Sequence, residues 1–128
     1  KLFPEEEFQF EAPSPELKLN ADRTQIEQVL INLLKNAREA CNRKLDKNIQ
    51  VKVKKLSTGN TALTISDNGE GILPDVLDKI FVPFFTTKTS GSGIGLSLCK
   101  QIMTLHEGSI NVKSEVGKGS SFILTFPK

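Results

Sequence analysis

Glycines at alternate positions, Gly91, Gly93 and Gly95, stand directly before a helical pattern in the stretch "TTKTSGSGIGLSLCKQ". Glycine lets a backbone approach another group closely, and the first N–H groups of a helix are free to bind an anion. Lys88 adds a positive charge three residues before Gly91. The spacing matches neither the dinucleotide-binding nor the Walker pattern. The motif alone therefore predicts either an anion site or a glycine-rich hinge without a ligand.

Two asparagines, Asn32 and Asn36, are four residues apart in a long predicted helix and so share one face. Asparagine is a poor helix former because its amide competes for backbone hydrogen bonds. Its amide oxygen is a hard ligand suited to Mg²⁺, which takes few protein ligands and completes its shell with phosphates and water. The pair therefore indicates a metal-dependent phosphate site, and the alternative is an ordinary solvated polar face.

A third candidate is "SDNGEGI", in which Asp67 ends a predicted strand and Gly69 and Gly71 follow. A carboxylate at a strand end can accept a hydrogen bond from an exocyclic amine such as that of adenine. The glycines permit a tight turn that exposes backbone amides. The alternative is a turn without a ligand, since Asp-Asn-Gly favours turns by itself.

The elements that must position these residues alternate between strands and helices. Period-two patterns predict strands at 6–12, 16–21, "NIQVKVKKLS", "TALTIS", "SINVKSEV" and "SSFILTFP". A helical pattern predicts a long helix from Asp22, where Gln25 follows as in a capping box, a short helix at "PDVLDKI" and a second long helix over 94–106. Mixed order with a C-terminal strand pair favours an α+β fold over a doubly wound sheet.

Length and composition restrict the class of protein. A chain of 128 residues with 38% hydrophobic residues and a net charge of +2 predicts one globular domain without strong general affinity for nucleic acid or membrane. Both cysteines fall in predicted helices, which indicates buried thiols in a reducing compartment. The single histidine, His106, is interpreted as structural, as a helix-end cation or a packing residue. Because the chain begins at Lys1, we expect a fragment of a longer protein.

Taken together and in this order, the motifs resemble the catalytic and ATP-binding domain of a bacterial sensor histidine kinase, in the wider family shared with gyrase, Hsp90 and MutL. "QVLINLLKNAREA" resembles the N box, "DNGEGI" the G1 box, "FVPFFTTK" the F box and "SGSGIGLSL" the G2 box. The resemblance runs from about residue 8 to the end and makes residues 1–128 one such domain. It implies a two-layer α/β sandwich with a mixed, mostly antiparallel sheet on three helices, and Mg·ATP bound under a flexible lid.

The resemblance also implies roles for individual residues. Asn36 would ligate Mg²⁺, Asn32 would help to hold the phosphates, and Lys88 would reach the terminal phosphate, so these three are the expected catalytic residues. Asp67 would recognise the adenine amine. The remaining nucleotide contacts implied by the G1, F and G2 boxes are Gly69, Gly71, Ile72, Phe81, Gly91, Gly93, Gly95 and Leu96.

Partners follow from the same resemblance. A helical dimerisation and phosphoacceptor domain would lie upstream in the same protein, and a response regulator receiver domain would take the phosphoryl group. We expect this chain to be monomeric, the full-length protein to be a homodimer, and the domain to be cytoplasmic, with any membrane anchor in the missing portion. The chain departs from many relatives at Glu39, where they carry a basic residue. The lid, between "PFFTTK" and "GSGIGL", is shorter than in many sensor kinases.

Two other functions stay open. In the ATPase relatives, the helix position that matches Asn32 resembles a glutamate that activates water. An amide cannot act as a general base, so Asn32 cannot take that role. An ATPase of the same superfamily would need its base elsewhere, at Glu39 or Glu27. A non-catalytic nucleotide-sensing module is the other alternative.

Overall fold

The computed structural model describes residues 8–11, 22–42, 45–83 and 95–127. The elements along the chain are β1 (Phe8–Glu11), α1 (Arg23–Ala40), β2 (Ile49–Lys55), β3 (Thr61–Asp67), α2 (Pro74–Leu77), α3 (Gly95–Leu105), β4 (Ser109–Glu115) and β5 (Gly119–Phe126). The strand predicted at 6–12 is β1, and the strand predicted at 16–21 lies outside the described residues.

The strands form one mixed sheet in the order β1-β2-β3-β5-β4, in which β1 is parallel to β2 and the other neighbours are antiparallel. Alternation along β5 buries Phe122, Leu124 and Phe126 on one face. The opposite face is mostly polar: one cross-strand row places Lys52, Thr64 and Asn111 beside a single apolar residue, Ile123. A sheet with one apolar face must be covered on that side only.

Two helices cover the apolar face. Residues of α1 at helical spacing, Val29, Leu33 and Ala37, are buried against the sheet, and Cys99 and Met103 of α3 are fully buried beside them. The helix α2 is a single turn whose Val76 and Leu77 pack against the edge of this core. The predicted two-layer α+β sandwich is therefore confirmed. None of the described helices is long and apolar enough to cross a membrane.

The start of α1 is tied to the end of α3. The Asp22 side chain accepts a hydrogen bond from the Gln25 N–H at 3.1 Å, as predicted for a helix cap. The Asp22 N–H donates to His106 Nε2 at 3.0 Å, so the reciprocal bond of a capping box is replaced by a contact across the fold. His106 Nδ1 lies 2.8 Å from the Ile102 carbonyl oxygen. These two contacts hold the ring between the start of α1 and the end of α3, which supports the interpretation of His106 as a structural residue.

Candidate nucleotide-binding site

Asp67, the last residue of β3, is half-buried. Its Oδ1 accepts a hydrogen bond from the Gly69 N–H at 2.9 Å. Burial raises the pKa of Asp67 above its usual value, and backbone N–H groups of Gly69 and Ser120 oppose that rise. The structure therefore holds a fixed hydrogen-bond acceptor at the position that the sequence predicted for adenine recognition.

The loop after Asp67 is held against the end of α1. A Cβ on Gly69 would lie 2.5 Å from the Ala40 carbonyl oxygen, which also accepts a hydrogen bond from the Glu70 N–H at 3.3 Å. The Asn68 amide accepts from the Asn48 N–H and donates to the Asp46 carbonyl oxygen, both at 2.9 Å. No side chain fits at Gly69, because α1 occupies the space.

The other side of the loop is held against β4 and the turn that follows it. Gly71 has φ +79°, and a Cβ there would lie 2.3 Å from the Glu115 carbonyl oxygen. The Glu70 carbonyl oxygen accepts from the Gly117 N–H at 2.9 Å, and the Ile72 N–H donates to Ser114 Oγ at 2.8 Å. Gly69 and Gly71 are thus required by the packing of the chain itself, and their part in lining a base pocket stays a prediction.

Asn32 and Asn36 lie on α1 at one side of its buried stripe, and both are half-buried. Asn32 Nδ2 is inaccessible to solvent and has no hydrogen-bond partner among the described residues. A buried amide without a partner costs about 1–3 kcal/mol. From Asn32 to Ala40, where the Asp67 loop meets the helix, is eight residues, or about 12 Å of helix. The two candidate positions are thus the two ends of one elongated site along α1.

Gly95, the first residue of α3, faces Asn32. A Cβ on Gly95 would lie 3.7 Å from Asn32 Cγ and Oδ1, an ordinary van der Waals contact. The first N–H groups of a helix have no intrahelical partner. The structure therefore brings together the start of α3 and Asn32, whose Nδ2 has no partner in the described part of the chain.

Cys99 lies one turn after Gly95 in α3 and is close to Asn32. Burial raises the pKa of the Cys99 thiol to about 11, and the neighbouring Asn32 side chain opposes this rise. Its Sγ is 3.9 Å from the Val29 carbonyl oxygen. A thiol with such a pKa is not a nucleophile at neutral pH, so Cys99 packs between α1 and α3.

The remaining described candidates line the edges of this region. Phe81 is half-buried, and the Lys100 ammonium lies 5.6 Å from its ring centroid, which links the segment after α2 to α3. Leu96 packs against the core from the first turn of α3. Lys88, Gly91 and Gly93 lie outside the described residues.

Sequence reasoning did not identify Ser114 and Ser120, which lie beside Asp67. Ser120 is directly opposite Asp67 in the register of β3 and β5, and Ser114 is opposite Ser120 in β4. The alternation of β4, with Ile110 buried and Val112 half-buried, would have placed Ser114 on the helix side of the sheet.

The hydrogen-bonding groups of this region fit a nucleotide. Asp67 supplies an acceptor at one end, and Asn32 supplies an unpartnered donor at the other, beside the open position at Gly95. The described residues contain no cluster of His, Cys, Asp and Glu that could hold a metal ion alone. A divalent cation would therefore need oxygen ligands from the nucleotide in addition to an amide such as Asn36.

Comparison with known proteins identifies the family of this chain. Residues 21–128 match the model of the family described as histidine kinase-, DNA gyrase B- and HSP90-like ATPase. The sensor histidine kinase ZraS of Salmonella typhimurium is 42% identical over 110 residues, which cover 86% of this chain and 23% of ZraS. The signal transduction histidine-protein kinase AtoS of Escherichia coli is 43% identical over 109 residues, which cover 85% of this chain and 18% of AtoS.

Solved structures of histidine kinase catalytic domains have the same fold. The catalytic domain of the histidine kinase ThkA superposes with a TM-score of 0.82 and 38% identity, covering 94% of this chain and 79% of that one. The chain spans less than a quarter of the length of ZraS and AtoS. It belongs to the histidine kinase-, DNA gyrase B- and HSP90-like ATPase family, and within it resembles the catalytic domain of sensor histidine kinases.

Proposed function

We propose that this chain binds Mg·ATP and transfers the terminal phosphoryl group to a histidine of an upstream helical domain, as the catalytic domain of a two-component sensor kinase. The observation that carries the proposal is the buried, unpartnered Asn32 Nδ2 facing the start of α3. Such an atom is costly in the free protein, and an oxygen of a phosphate group would satisfy it.

At one end of the site, Asp67 accepts a hydrogen bond from the exocyclic amine of adenine. A carboxylate accepts and cannot donate, so it favours adenine over guanine, whose carbonyl stands where adenine has its amine. The loop of Gly69 and Gly71 keeps its backbone close enough to the sheet to leave room for the base.

At the other end, Asn32 donates to the phosphates, and the N–H groups at the start of α3 add further donors. Asn36 contributes an amide oxygen to Mg²⁺, and Lys88 reaches the terminal phosphate. Mg²⁺ held there by Asn36 would supply positive charge against the negative charge that develops during transfer. Gly91, Gly93 and Gly95 form the lid hinge and the phosphate-facing turn, with Leu96 beneath it.

The phosphoryl acceptor comes from outside these residues. His106 is engaged by Asp22 and Ile102. It lies eleven residues from Gly95 along the direction of α3, a distance of about 16 Å. The acceptor histidine therefore belongs to another domain, which makes the reaction one of positioning and charge neutralisation.

Hydrolysis is disfavoured as the main activity. Asn32 cannot remove a proton from water. The exposed Glu27 carboxylate pairs with Arg23 at 2.9 Å, and its direction around α1 differs from that of Asn32 by about 140°. Glu39 points within about 20° of the Asn32 direction, which makes it the position to mutate in testing the ATPase alternative.

The response regulator is the proposed downstream partner. ThkA, the relative named above, has been solved in complex with the response regulator protein TrrA, and that kinase chain superposes with a TM-score of 0.76 over 94% of this chain. By analogy we propose a receiver domain as phosphoryl recipient, a homodimeric full-length protein and a cytoplasmic location for this domain.

Incubation with ATP that carries a radioactive γ-phosphate tests the proposed phosphoryl transfer. The isolated chain should bind ATP yet remain unlabelled, and addition of the upstream helical domain should yield an acid-labile, base-stable phosphohistidine. Asn36→Ala should abolish labelling, and exposed Asn111→Ala on the open sheet face is the matched control. Rapid phosphate release by the chain alone, lost in Glu39→Gln, would instead establish the ATPase alternative.

A further inference from the structure

A polar row crosses the sheet where its apolar face ends. Asp67, Ser120 and Ser114 are direct neighbours across β3, β5 and β4, and residues opposite one another project to the same face. The next row towards the core is apolar and consists of Ile65, Phe122 and Val112. The row of Asp67 therefore separates the core from the candidate base site.

The hydroxyl group of Ser114 uses its whole hydrogen-bonding capacity within the protein. Its Oγ accepts from the Ile72 N–H at 2.8 Å, donates to the Gly119 carbonyl oxygen at 3.0 Å and lies 2.8 Å from Ser120 Oγ. A hydroxyl has one hydrogen and two lone pairs. Because the Ser114 hydrogen is committed to Gly119, the Ser120 hydroxyl must donate to Ser114.

Two consequences follow for the loop from Asp67 to Ile72. Its first residue is tied to Ser120, whose N–H interacts with the Asp67 carboxylate, and its last residue is tied to Ser114. The Ser120 oxygen, with its hydrogen turned towards Ser114, offers only lone pairs to anything beside Asp67. One hydroxyl pair therefore fixes both the shape of the loop and the polarity of its surroundings.

We propose that Ser114 is a positioning residue that determines base specificity. It holds the Asp67–Ile72 loop and orients Ser120 so that two acceptors, the Asp67 carboxylate and Ser120 Oγ, stand side by side. Such a pair selects a base edge that carries donors, as the amino group of adenine does, and rejects a carbonyl edge. The inference rests on the proposed nucleotide binding.

The same strands provide a matched control. Ser66 and Ser121 form another cross-strand hydroxyl pair, with 2.9 Å between their oxygens, on the opposite face of the sheet. Ser121 is adjacent to Ser120 in β5, and its bond is of the same kind. Ser121→Ala therefore removes one hydroxyl pair from the sheet without touching the loop.

Calorimetric titration with Mg·ATP and Mg·GTP compares the parent with Ser114→Ala, Ser114→Thr and Ser121→Ala, each confirmed as folded by circular dichroism. We expect Ser114→Ala to bind ATP at least fivefold more weakly and to lose most of the preference for ATP over GTP. Ser114→Thr, which keeps the hydroxyl, should restore both, and Ser121→Ala should stay within twofold of the parent. Amide exchange of Ile72 should accelerate at least tenfold in Ser114→Ala alone.

The proposal is overturned if Ser114→Ala keeps the parent's ATP-to-GTP ratio, whether its affinities are unchanged or fall equally. Should Ser114→Ala not fold, Ser114→Cys takes its place, because a thiol is a weak donor and acceptor; a parental ratio in that variant overturns the proposal as well. If the parent itself binds neither nucleotide, the proposed function fails, and this outcome differs from a parent that discriminates without needing Ser114.

Discussion

Glycines occur at both ends of the candidate site along α1, the proposed base end around Asp67 and the proposed phosphate end around Asn32, but their packing differs. At the base end, a Cβ on Gly69 would lie 2.5 Å from the Ala40 carbonyl oxygen, and one on Gly71 would lie 2.3 Å from that of Glu115. At the phosphate end, a Cβ on Gly95 would make only ordinary contacts with Asn32, at 3.7 Å. The glycines of the base end are fixed by the fold, whereas the fold leaves Gly95 free to vary.

Asparagines show the same contrast. The Asn68 amide, at the base end, has partners on both its oxygen and its nitrogen. The Asn32 nitrogen, at the phosphate end, is buried and has no partner among the described residues. The difference teaches that the loop after Asp67 is already assembled by the protein's own contacts, while the Asn32 side chain holds a buried polar atom that the described residues leave unsatisfied.

Paired glycine substitutions test this contrast most strongly. Gly69→Ala should lower the free energy of unfolding by about 3 kcal/mol, because backbone must move to admit the methyl group. Gly95→Ala should change it by less than about 1 kcal/mol, since alanine is the better helix residue and the space is open. Urea denaturation of both variants measures the difference. Equal losses would show that the two ends are packed alike.

Paired asparagine substitutions test the polar contacts. Asn68→Leu should lose about 2 kcal/mol of stability with its hydrogen bonds, whereas Asn32→Leu should lose none and gain up to about 1 kcal/mol in the absence of nucleotide. Asn32→Leu should also weaken the binding of ATP much more than the binding of adenosine, which lacks phosphates. An Asn32→Leu variant that is as unstable as Asn68→Leu would contradict the contrast.

Removing the charge at the base end should affect the base specifically. Asp67→Asn should bind ATP at least tenfold more weakly, which corresponds to about 1.4 kcal/mol. Asp75→Asn, an exposed site in α2, is the control and should match the parent. Calorimetry with adenosine in place of ATP should show the same loss. A loss seen with ATP but not with adenosine would move the effect of Asp67 to the phosphates.

The pH dependence gives the smallest expected effect. Burial raises the pKa of Asp67 above its usual 3.8, so the folded chain binds this proton more tightly than the unfolded chain does. The parent should therefore lose stability relative to Asp67→Asn as the pH rises from 3.8 through the raised pKa, and the difference should then level off. Adenosine affinity of the parent should fall on acidification through the same window. A difference in unfolding free energy that does not change with pH would contradict the burial of this carboxyl.

Periodicity was sufficient to predict α1, α3 and the C-terminal strand pair, because each element repeats its apolar residues at the spacing of its own geometry. Asp67 could be placed at a strand end for the same reason. The partners of Gly69 and Gly71 could not be predicted, because Ala40 and Glu115 are distant in sequence. The bond between His106 and Asp22 spans 84 positions and depends on how α3 packs on α1.

The central claim is that the assembled end of the site reads adenine, and one titration tests it directly. The unmodified chain is titrated with Mg·ATP and with Mg·GTP in a calorimeter under identical conditions. The preformed acceptor at Asp67 predicts that ATP binds at least tenfold more tightly than GTP. Equal affinities for the two nucleotides would contradict the assignment of this end to the base.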